Sequence, residues 1–326
     1  MTVELDQIRV DWHERVDERL QEAVTSSGEQ LLMQMNSFHM NTGGKRLRAL
    51  IPIWVCVNAG GEPETALELG VGLELIHNAT LIHDDLQDGD EVRRGQPTVW
   101  RRWGAAQAIN AGDALYFHGI QRILRSPAGP EVALAASDAL VRVIAGQVME
   151  FRLQLDASDE NALAPTVSHW EQMARGKTGA LFGVCCLAGA LASGRPDAAS
   201  DAMSYGTDLG LFFQVQDDLL DLVGDKGRGT LGSDIAEGKR SYPVVWALTH
   251  GDRMAAERIL EIVSTPREET TESMVDDAIA TLIHMGAIEA TIRWLRAGGD
   301  ALRSHPLAPL TPGIVEAVLR PIAHAL

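Results

Sequence analysis

Two acidic motifs of the same design hold the carboxylates best placed to do chemistry in this sequence. The pattern D-D-x-x-D occurs twice, each time after an apolar run typical of a helix, and its members are Asp84, Asp85, Asp88, Asp217, Asp218 and Asp221. At the end of a helix these like charges repel each other and oppose the helix dipole unless cations neutralise them. Hard oxygen ligands suit Mg²⁺, which keeps several waters and relies on substrate phosphate oxygens. The duplicated motif therefore predicts a magnesium and diphosphate site rather than a solvated helix face.

A basic segment predicts a second anion site that needs no metal. Gly43-Gly44-Lys45-Arg46-Leu47-Arg48 precedes an apolar helix expected to begin near Ala49. Its glycines let backbone amides approach an anion, the helix N-terminus favours negative charge, and its cations supply charge-assisted hydrogen bonds. Arg93 and Arg94 follow the first acidic motif closely. Taken alone, the first segment is also consistent with an ordinary basic turn, and the second with charge compensation of the acidic motif.

Three dipeptides give weaker signals. Lys177-Thr178 precedes a very apolar run, so the lysine should face a partner or extend its charged end to water. For Gly146-Gln147 and Gly238-Lys239 a structural role is the better explanation of the residues alone.

The composition limits partners and location. The 326 residues include 45 acidic and 28 basic side chains, and the net charge of −17 argues against binding nucleic acid or an anionic membrane surface. Local basic clusters still allow a phosphorylated substrate. No signal peptide and no segment of membrane-spanning length are expected. The three cysteines, two of them adjacent in an apolar run, are expected to be reduced. The sequence thus predicts a cytoplasmic protein.

The pattern along the chain predicts an all-α fold. Apolar residues recur at three- and four-residue spacing, as in the long segment from Glu64 to Leu86, whose stripe mixes apolar and polar residues and suggests a cavity. Breaks are short loops, and neither a linker nor a repeat divides the chain. We therefore expect one helical domain, residues 1–326, with a central active-site cavity.

The ordered set of motifs identifies a family resemblance. G-G-K-R-x-R, D-D-x-x-D, R-R-G-x-P-T, K-T and F-Q-x-x-D-D-x-x-D follow one another between Thr42 and Pro243. They resemble the polyprenyl synthetase family, the trans-isoprenyl diphosphate synthases. The resemblance implies the helical isoprenoid synthase fold, a homodimer, and head-to-tail condensation of isopentenyl diphosphate with dimethylallyl, geranyl or farnesyl diphosphate. Two departures, Ala49 for a common proline and Ser241-Tyr242-Pro243 for Thr-Leu-Pro, remove no charged group.

The resemblance also implies a role for each matching residue. The six aspartates would hold Mg²⁺ on the allylic diphosphate, and Lys177 and Lys239 would help to stabilise it as it leaves. Further contacts to the allylic diphosphate would come from Arg93, Thr178, Gln214 and Lys226, although Lys226 lies farther from Asp234 than the loop lysine of many relatives. Isopentenyl diphosphate would be bound by Gly44, Lys45, Arg48, His77 and Arg94. For His77 the alternative is a satisfied core histidine.

In this mechanism the main task is to stabilise charge while an allylic C–O bond breaks. Three alternatives remain at this point. Farnesyl diphosphate synthase differs only in product length. A class I terpene cyclase shares the first aspartate motif but needs no second diphosphate site, and a non-catalytic subunit of a heteromeric synthase should have lost carboxylates that this chain keeps.

Product length should depend on the residues below Asp84 on the same helix. Thr80 and Ala79 lie about one turn down and Ile76 about two turns down. None is aromatic, which favours a product of about twenty carbons or more, and Ala79→Phe is expected to shorten it. Tyr116 and Phe117 are alternative candidates for the floor of the tunnel, with an ordinary core role as their simpler explanation.

Overall fold

The computed structural model of the protein describes residues 2–26, 28–224 and 231–325. The chain forms two compact units, each assembled from several stretches of sequence. The first comprises Met1–Ala139, Leu181–Gly206 and Pro306–Gly313, and the second comprises Leu140–Ala180, Thr207–His305 and Ile314–Leu326. The chain passes repeatedly between the units. A single domain over residues 1–326 stays a prediction, as does the central cavity.

Helices dominate the structure, which confirms the predicted all-α class. The described residues form sixteen α-helices: α1 (Leu5–Val24), α2 (Gln30–Met40), α3 (Leu47–Asn58), α4 (Glu64–Gln87), α5 (Val99–Trp103), α6 (Ala105–Ile123), α7 (Gly129–Gln154), α8 (Val167–Ala174), α9 (Ala180–Ala192), α10 (Ala199–Val223), α11 (Ser233–Ala236), α12 (Tyr242–His250), α13 (Arg253–Val263), α14 (Glu272–His284), α15 (Ala287–Ser304) and α16 (Ile314–Leu319). A π-helical turn, Arg175–Gly179, joins α8 to α9, and short 3₁₀ turns occupy Pro196–Ala198, Ala308–Leu310 and Arg320–Ile322. The strands β1 (Val92–Arg93) and β2 (Gln96–Pro97) form a small antiparallel hairpin.

In the first unit, glycines let α4 and α6 cross with their backbones in contact. A Cβ atom on Gly119 of α6 would lie 2.7 Å from both the Gly72 carbonyl oxygen and Ile76 Cγ1 of α4. Real Cβ atoms do not approach so closely, so a larger residue would push the helices apart. The crossing therefore fixes α4, the helix that ends in the first acidic motif.

Helix α3 contains a proline whose missing hydrogen bond is replaced from another helix. Pro52 has no N–H, so the Arg48 carbonyl one turn earlier loses its usual helical partner. Cys185 of α9 donates from its Sγ to this oxygen at 3.5 Å. Burial raises the pKa of Cys185 well above its ordinary value, so the thiol keeps its proton. All three cysteines are free and buried, as expected from the sequence.

Helix α7 is long and apolar enough to cross a membrane by length and composition alone, although no segment of that length was expected from the sequence. It has 26 residues, and its most apolar window has a mean hydropathy of 1.5. Ala and Val are frequent in this helix and charges are few, so its composition passes a test that the core helices of soluble proteins also pass. It is the one helix of this kind in the described part of the chain.

Candidate active site

The first acidic motif ends α4 as predicted. Asp84 and Asp88 are half-buried, and Asp85 is only 1% exposed. Arg93 of β1 donates to Asp85 Oδ1 from Nε at 2.7 Å and lies 2.6 Å from it through Nη2. Burial raises the pKa of Asp85, and Arg93 opposes that rise. Within the described residues the other oxygen, Asp85 Oδ2, is buried without a hydrogen-bond partner. A bound cation would satisfy this oxygen.

The hairpin after this motif connects it to the basic segment. Arg94 and Gly95 form its two-residue turn, with φ of 51° and 76°, the positive values found in type I′ hairpin turns. The Arg94 guanidinium donates to the Gly43 carbonyl oxygen. A Cβ on Gly44 would lie 2.8 Å from Arg94 Nη1. Glycine is favoured here mainly because the φ of Gly44 is 140°, a value that residues with a Cβ rarely adopt.

The basic side chains of the G-G-K-R-L-R segment do not share one environment. Lys45 is exposed. The Arg48 guanidinium lies over the Phe182 ring, 4.7 Å from its centroid. Arg46 is buried and turns inward, where it donates to Asp17 at 2.8 Å and to the Met40 carbonyl oxygen at 2.7 Å. Lys45 and Arg48 thus remain candidates for binding an anion, and Arg46 has a structural role.

The N-terminus of α3, expected from the sequence to attract the anion, already has a carboxylate beside it. Helix α3 begins at Leu47, two residues before the expected start. Its early amides, on Arg48 and Ala49, donate to Glu74 Oε2 at 3.1 and 3.3 Å. These two amides are therefore already satisfied by a carboxylate of α4. An anion here would be held by side chains alone.

Two histidines beside the basic segment are neutral. Burial, followed by Arg48, Arg93 and Arg94, holds the pKa of His77 well below its ordinary value. Burial and the same two arginines of the hairpin lower the pKa of His39 to about 3. His39 Nε2 also forms a hydrogen bond with Asn78 Oδ1 at 3.1 Å. Burial is the main cause of both low pKa values, and the neighbouring arginines add to it.

The second acidic motif is linked to other predicted residues in the second unit. Thr178 donates from Oγ1 to Gln214 Oε1 at 2.7 Å, and Gln214 donates from Nε2 to Asp218 Oδ1 at 2.9 Å. Asp218 Oδ2 accepts from the backbone amide of Tyr242, the first residue of α12, at 2.7 Å. The structure thus brings three predicted site residues into one hydrogen-bonded chain.

The three carboxylates of this motif differ in their contacts. Asp221 accepts from Ser233 Oγ at 2.6 Å and from the Asp234 amide at 3.0 Å, so it holds the start of α11. Asp218 holds the start of α12 in the same way. Asp217 is half-buried, whereas Asp218 and Asp221 are buried. Two of the three predicted metal ligands therefore also stabilise the starts of neighbouring helices.

The two predicted lysines of the second unit each contact a carboxylate. Lys177 lies in the π-helical turn and forms an ion pair with Glu150 of α7. π-Helical turns like the one that holds Lys177 are frequent at functional sites. Lys239 Nζ lies 2.8 Å from Glu237 Oε2. Lys226, the third lysine implied by the resemblance, lies outside the described residues.

Sequence reasoning missed Glu150 but had a signal for it. A Cβ on Gly146 would lie 2.5 Å from the Lys177 backbone nitrogen. This close approach brings α7 against the π-helical turn, and Glu150 lies one turn further along α7. Gly146-Gln147, interpreted as structural, therefore marks the crossing that places Glu150 beside the lysine.

Comparison with known proteins decides the family. Residues 29–282 match the family model described as polyprenyl synthetase. The chain belongs to the polyprenyl synthetase family. A short chain isoprenyl diphosphate synthase of Methanothermobacter thermautotrophicus is 34% identical over 285 residues, which cover 85% of this chain and 84% of the relative.

Solved structures of the polyprenyl synthetase family agree. The geranylgeranyl pyrophosphate synthetase from Pyrococcus horikoshii has a TM-score of 0.82 and 30% identity, with coverage of 96% of this chain and 98% of that one. A polyprenyl synthase from Caulobacter crescentus, complexed with calcium and isoprenyl diphosphate, has a TM-score of 0.82 and 26% identity over 98% and 99% of the two chains. These findings confirm the predicted family, fold class and enzyme class, an isoprenyl diphosphate synthase.

The carboxylates of this polyprenyl synthetase suit a cation that completes its coordination with oxygens of the substrate. Among residues 2–26, 28–224 and 231–325, no three His, Cys, Asp or Glu side chains are grouped closely enough to hold an ion by themselves. Mg²⁺ is commonly bound through one or two carboxylates together with substrate phosphates and waters. The unpartnered Oδ2 of Asp85 fits that mode better than an all-protein cage.

The residues predicted to set product length have different environments. Thr80 is half-buried, whereas Ala79 and Ile76 are fully buried. By helical geometry Thr80 is rotated about 40° from Asp84 and Ala79 about 140°. Phe117 is 71% exposed, which removes it as a tunnel floor within this chain. The Tyr116 ring packs edge-on against His83, with centroids 5.6 Å apart.

Proposed function

We propose that the protein condenses isopentenyl diphosphate with an allylic diphosphate, head to tail, to give a linear all-trans prenyl diphosphate of C20 or longer. One observation carries this proposal: the adjacent residues Arg93 and Arg94 serve two chemically different sites. Arg93 pairs with Asp85 of the acidic motif. Arg94 donates to Gly43 of the basic segment. A metal-assisted diphosphate site beside a metal-free one suits an enzyme with two diphosphate substrates.

The allylic diphosphate is assigned to the two acidic motifs. Asp84, Asp85 and Asp88, with Asp217, Asp218 and Asp221 of the second motif, would hold Mg²⁺ on its diphosphate. Bound Mg²⁺ would supply Lewis acidity toward the leaving diphosphate. A divalent cation is also supported by the Caulobacter crescentus relative, which is complexed with calcium and isoprenyl diphosphate.

Cationic side chains would take up the negative charge that develops as the C–O bond breaks. Arg93, Lys177 and Lys239 each lie beside a carboxylate, which fixes their positions. An ammonium has three donors, so a carboxylate partner does not prevent a further bond to a phosphate oxygen. Thr178 and Gln214 would hold Asp218 in place and contact the same diphosphate, a role also proposed for Lys226.

Isopentenyl diphosphate is assigned to the basic segment and the residues beside it, where Lys45, Arg48, Arg94 and His77 would bind it and the backbone of Gly44 lies against Arg94. With its low pKa, His77 is a neutral donor rather than a cation. A bound dianion would balance the positive charge of the surrounding arginines, so we expect the pKa of His77 to rise on binding.

Kinetics of single variants test the assignment of the two sites. Lys45→Ala and Arg48→Lys should raise KM for isopentenyl diphosphate by about tenfold or more, because each removes a charge or a planar fork that phosphate needs. KM for the allylic diphosphate should stay within about twofold. Arg101→Ala is the matched control, since Arg101 is a surface arginine that pairs with Glu91. An equal rise of both KM values would contradict two separate sites.

We also propose a cytoplasmic homodimer. Exposed apolar side chains recur along one face of α7, at Leu134, Val141, Ile144 and Val148, and α6 exposes Ile109 and Phe117. Apolar surface of this kind commonly marks an interface. A second copy of the chain is the partner that the polyprenyl synthetase family implies.

A further inference from the structure

Glu74 is a buried carboxylate on α4 that contacts the basic segment rather than the acidic motifs. It is 4% exposed. Its Oε2 accepts hydrogen bonds from the amides of Arg48 and Ala49 in the first turn of α3. We infer that Glu74 is a positioning residue for isopentenyl diphosphate: it fixes Arg48 and closes the N-terminus of α3 to the diphosphate. This inference rests on the proposed function.

The other oxygen of Glu74 connects to the rest of the cluster. Glu74 Oε1 accepts from Asn78 Nδ2 at 3.2 Å and lies 3.9 Å from Arg46 Nη1. Asn78 also donates to the Glu74 carbonyl oxygen at 2.8 Å. One carboxylate thus contacts three groups: the buried Arg46 guanidinium and the backbone amides of Arg48 and Ala49.

Both backbone polar groups of Arg48 are hydrogen-bonded to side chains. Its N–H donates to Glu74, and its carbonyl oxygen accepts from Cys185. Its guanidinium stacks on Phe182. A side chain fixed in this way loses little conformational freedom when it binds phosphate, so fixing it strengthens binding.

The negative charge of Glu74 should weaken diphosphate binding, whereas its hydrogen bonds to the backbone should strengthen it. A carboxylate close to a diphosphate repels it, and Glu74 is near enough to Arg94 to oppose the fall of its pKa on burial. A purely electrostatic role would therefore weaken binding, and removing the charge would strengthen it. A positioning role predicts that losing the hydrogen bonds weakens binding. The sign of the effect separates the two.

Two variants and calorimetry test the inference. Isopentenyl diphosphate alone, which is not consumed without a primer, is titrated into the full-length protein. Glu74→Ala, which removes both acceptors, should lower its affinity by about tenfold or more, as losses of supporting residues do at other sites. Glu74→Gln keeps an oxygen that accepts from the two amides and loses only the longer contacts of Oε1 with Asn78 and Arg46, so its affinity should stay within about threefold of the wild type.

Steady-state kinetics should give the same pattern. For Glu74→Ala, KM for isopentenyl diphosphate should rise while KM for the allylic diphosphate stays within about twofold. Glu68→Ala is the matched control: Glu68 lies on the same helix and pairs with Arg122, which is only 3% exposed. It should lose stability comparably and leave both KM values unchanged.

Three results would overturn the inference: unchanged or tighter binding by Glu74→Ala, a Glu74→Gln variant as weak as Glu74→Ala, or equal losses for both substrates. If Glu74→Ala does not fold, Glu74→Gln still decides, because an affinity more than about threefold from the wild type in either direction contradicts positioning by hydrogen bonds. Failure of the wild type to bind isopentenyl diphosphate would instead reject the proposed function.

Discussion

At the scale of single residues, the second acidic motif combines two tasks in neighbouring side chains. Asp218 and Asp221 hold the starts of α12 and α11 through backbone amides. A buried carboxylate that accepts such bonds is costly to remove because the amide is left without a partner. The D-D-x-x-D spacing alone does not reveal this difference, since it depends on loops that return to α10 later in the sequence.

We predict that Asp217→Ala and Asp218→Ala differ in stability but not in activity. Both should lower turnover about 100-fold or more, because each removes charge that the proposal places on the leaving diphosphate through the metal. Asp218→Ala should also lower the free energy of unfolding by about 1–3 kcal/mol, through the unsatisfied Tyr242 amide. Thermal unfolding without divalent cation and turnover with Mg²⁺ measure the two effects.

Asp217→Ala should lower the unfolding free energy by less than Asp218→Ala, because Asp217 is half-buried and Asp218 is buried. Equal stability of the two variants would show that the Asp218 hydrogen bonds do not support the fold. Full turnover in either variant would remove that residue from the proposed metal site.

At the scale of helices, the sequence predicted those features that depend on residues close together in the chain, such as where a helix ends. The ends of α4 and α10 coincide with the acidic motifs because carboxylates and helix termination share one local segment. Glu74 and Glu150 were not predicted. They lie 26 and 27 positions from the residues that they contact. Helix crossings bring them there, with Gly70 of α4 against Ala49 and Gly146 of α7 against Lys177. Crossings depend on packing of whole helices, which a motif does not encode.

The same helical geometry changes the prediction for product length. Thr80 is half-buried and shares the Asp84 face of α4, whereas Ala79 is fully buried and points about 140° away. Thr80→Phe should therefore shorten the product by at least one five-carbon unit, measured by chromatography of the dephosphorylated products.

Ala79→Phe, expected from the sequence to fill the tunnel, is the matched control. It should instead overpack the core and lower the free energy of unfolding by about 1–3 kcal/mol. An unchanged product distribution for Thr80→Phe would show that the chain does not grow along this face of α4.

At the scale of the whole molecule, the exposed face of α7 bears on assembly. Val141→Asp places a charge among its apolar side chains and should convert the proposed dimer to monomers in light scattering after size-exclusion chromatography. Val10→Asp is the control, since Val10 is also exposed, on α1, at 78%. A wild-type monomer, or a Val141→Asp dimer of unchanged mass, would place the interface elsewhere or reject it.

The central claim is that the protein joins isopentenyl diphosphate to an allylic diphosphate. The most direct measurement incubates purified protein with Mg²⁺ and labelled isopentenyl diphosphate, separately with dimethylallyl, geranyl and farnesyl diphosphate, and separates the products by length. We predict labelled linear prenyl diphosphates of C20 or longer, absent after chelation of the metal and strongly reduced in Asp84→Ala. Failure to incorporate the label with every primer would contradict the account; release of hydrocarbon would then indicate a cyclase, and no conversion a non-catalytic subunit.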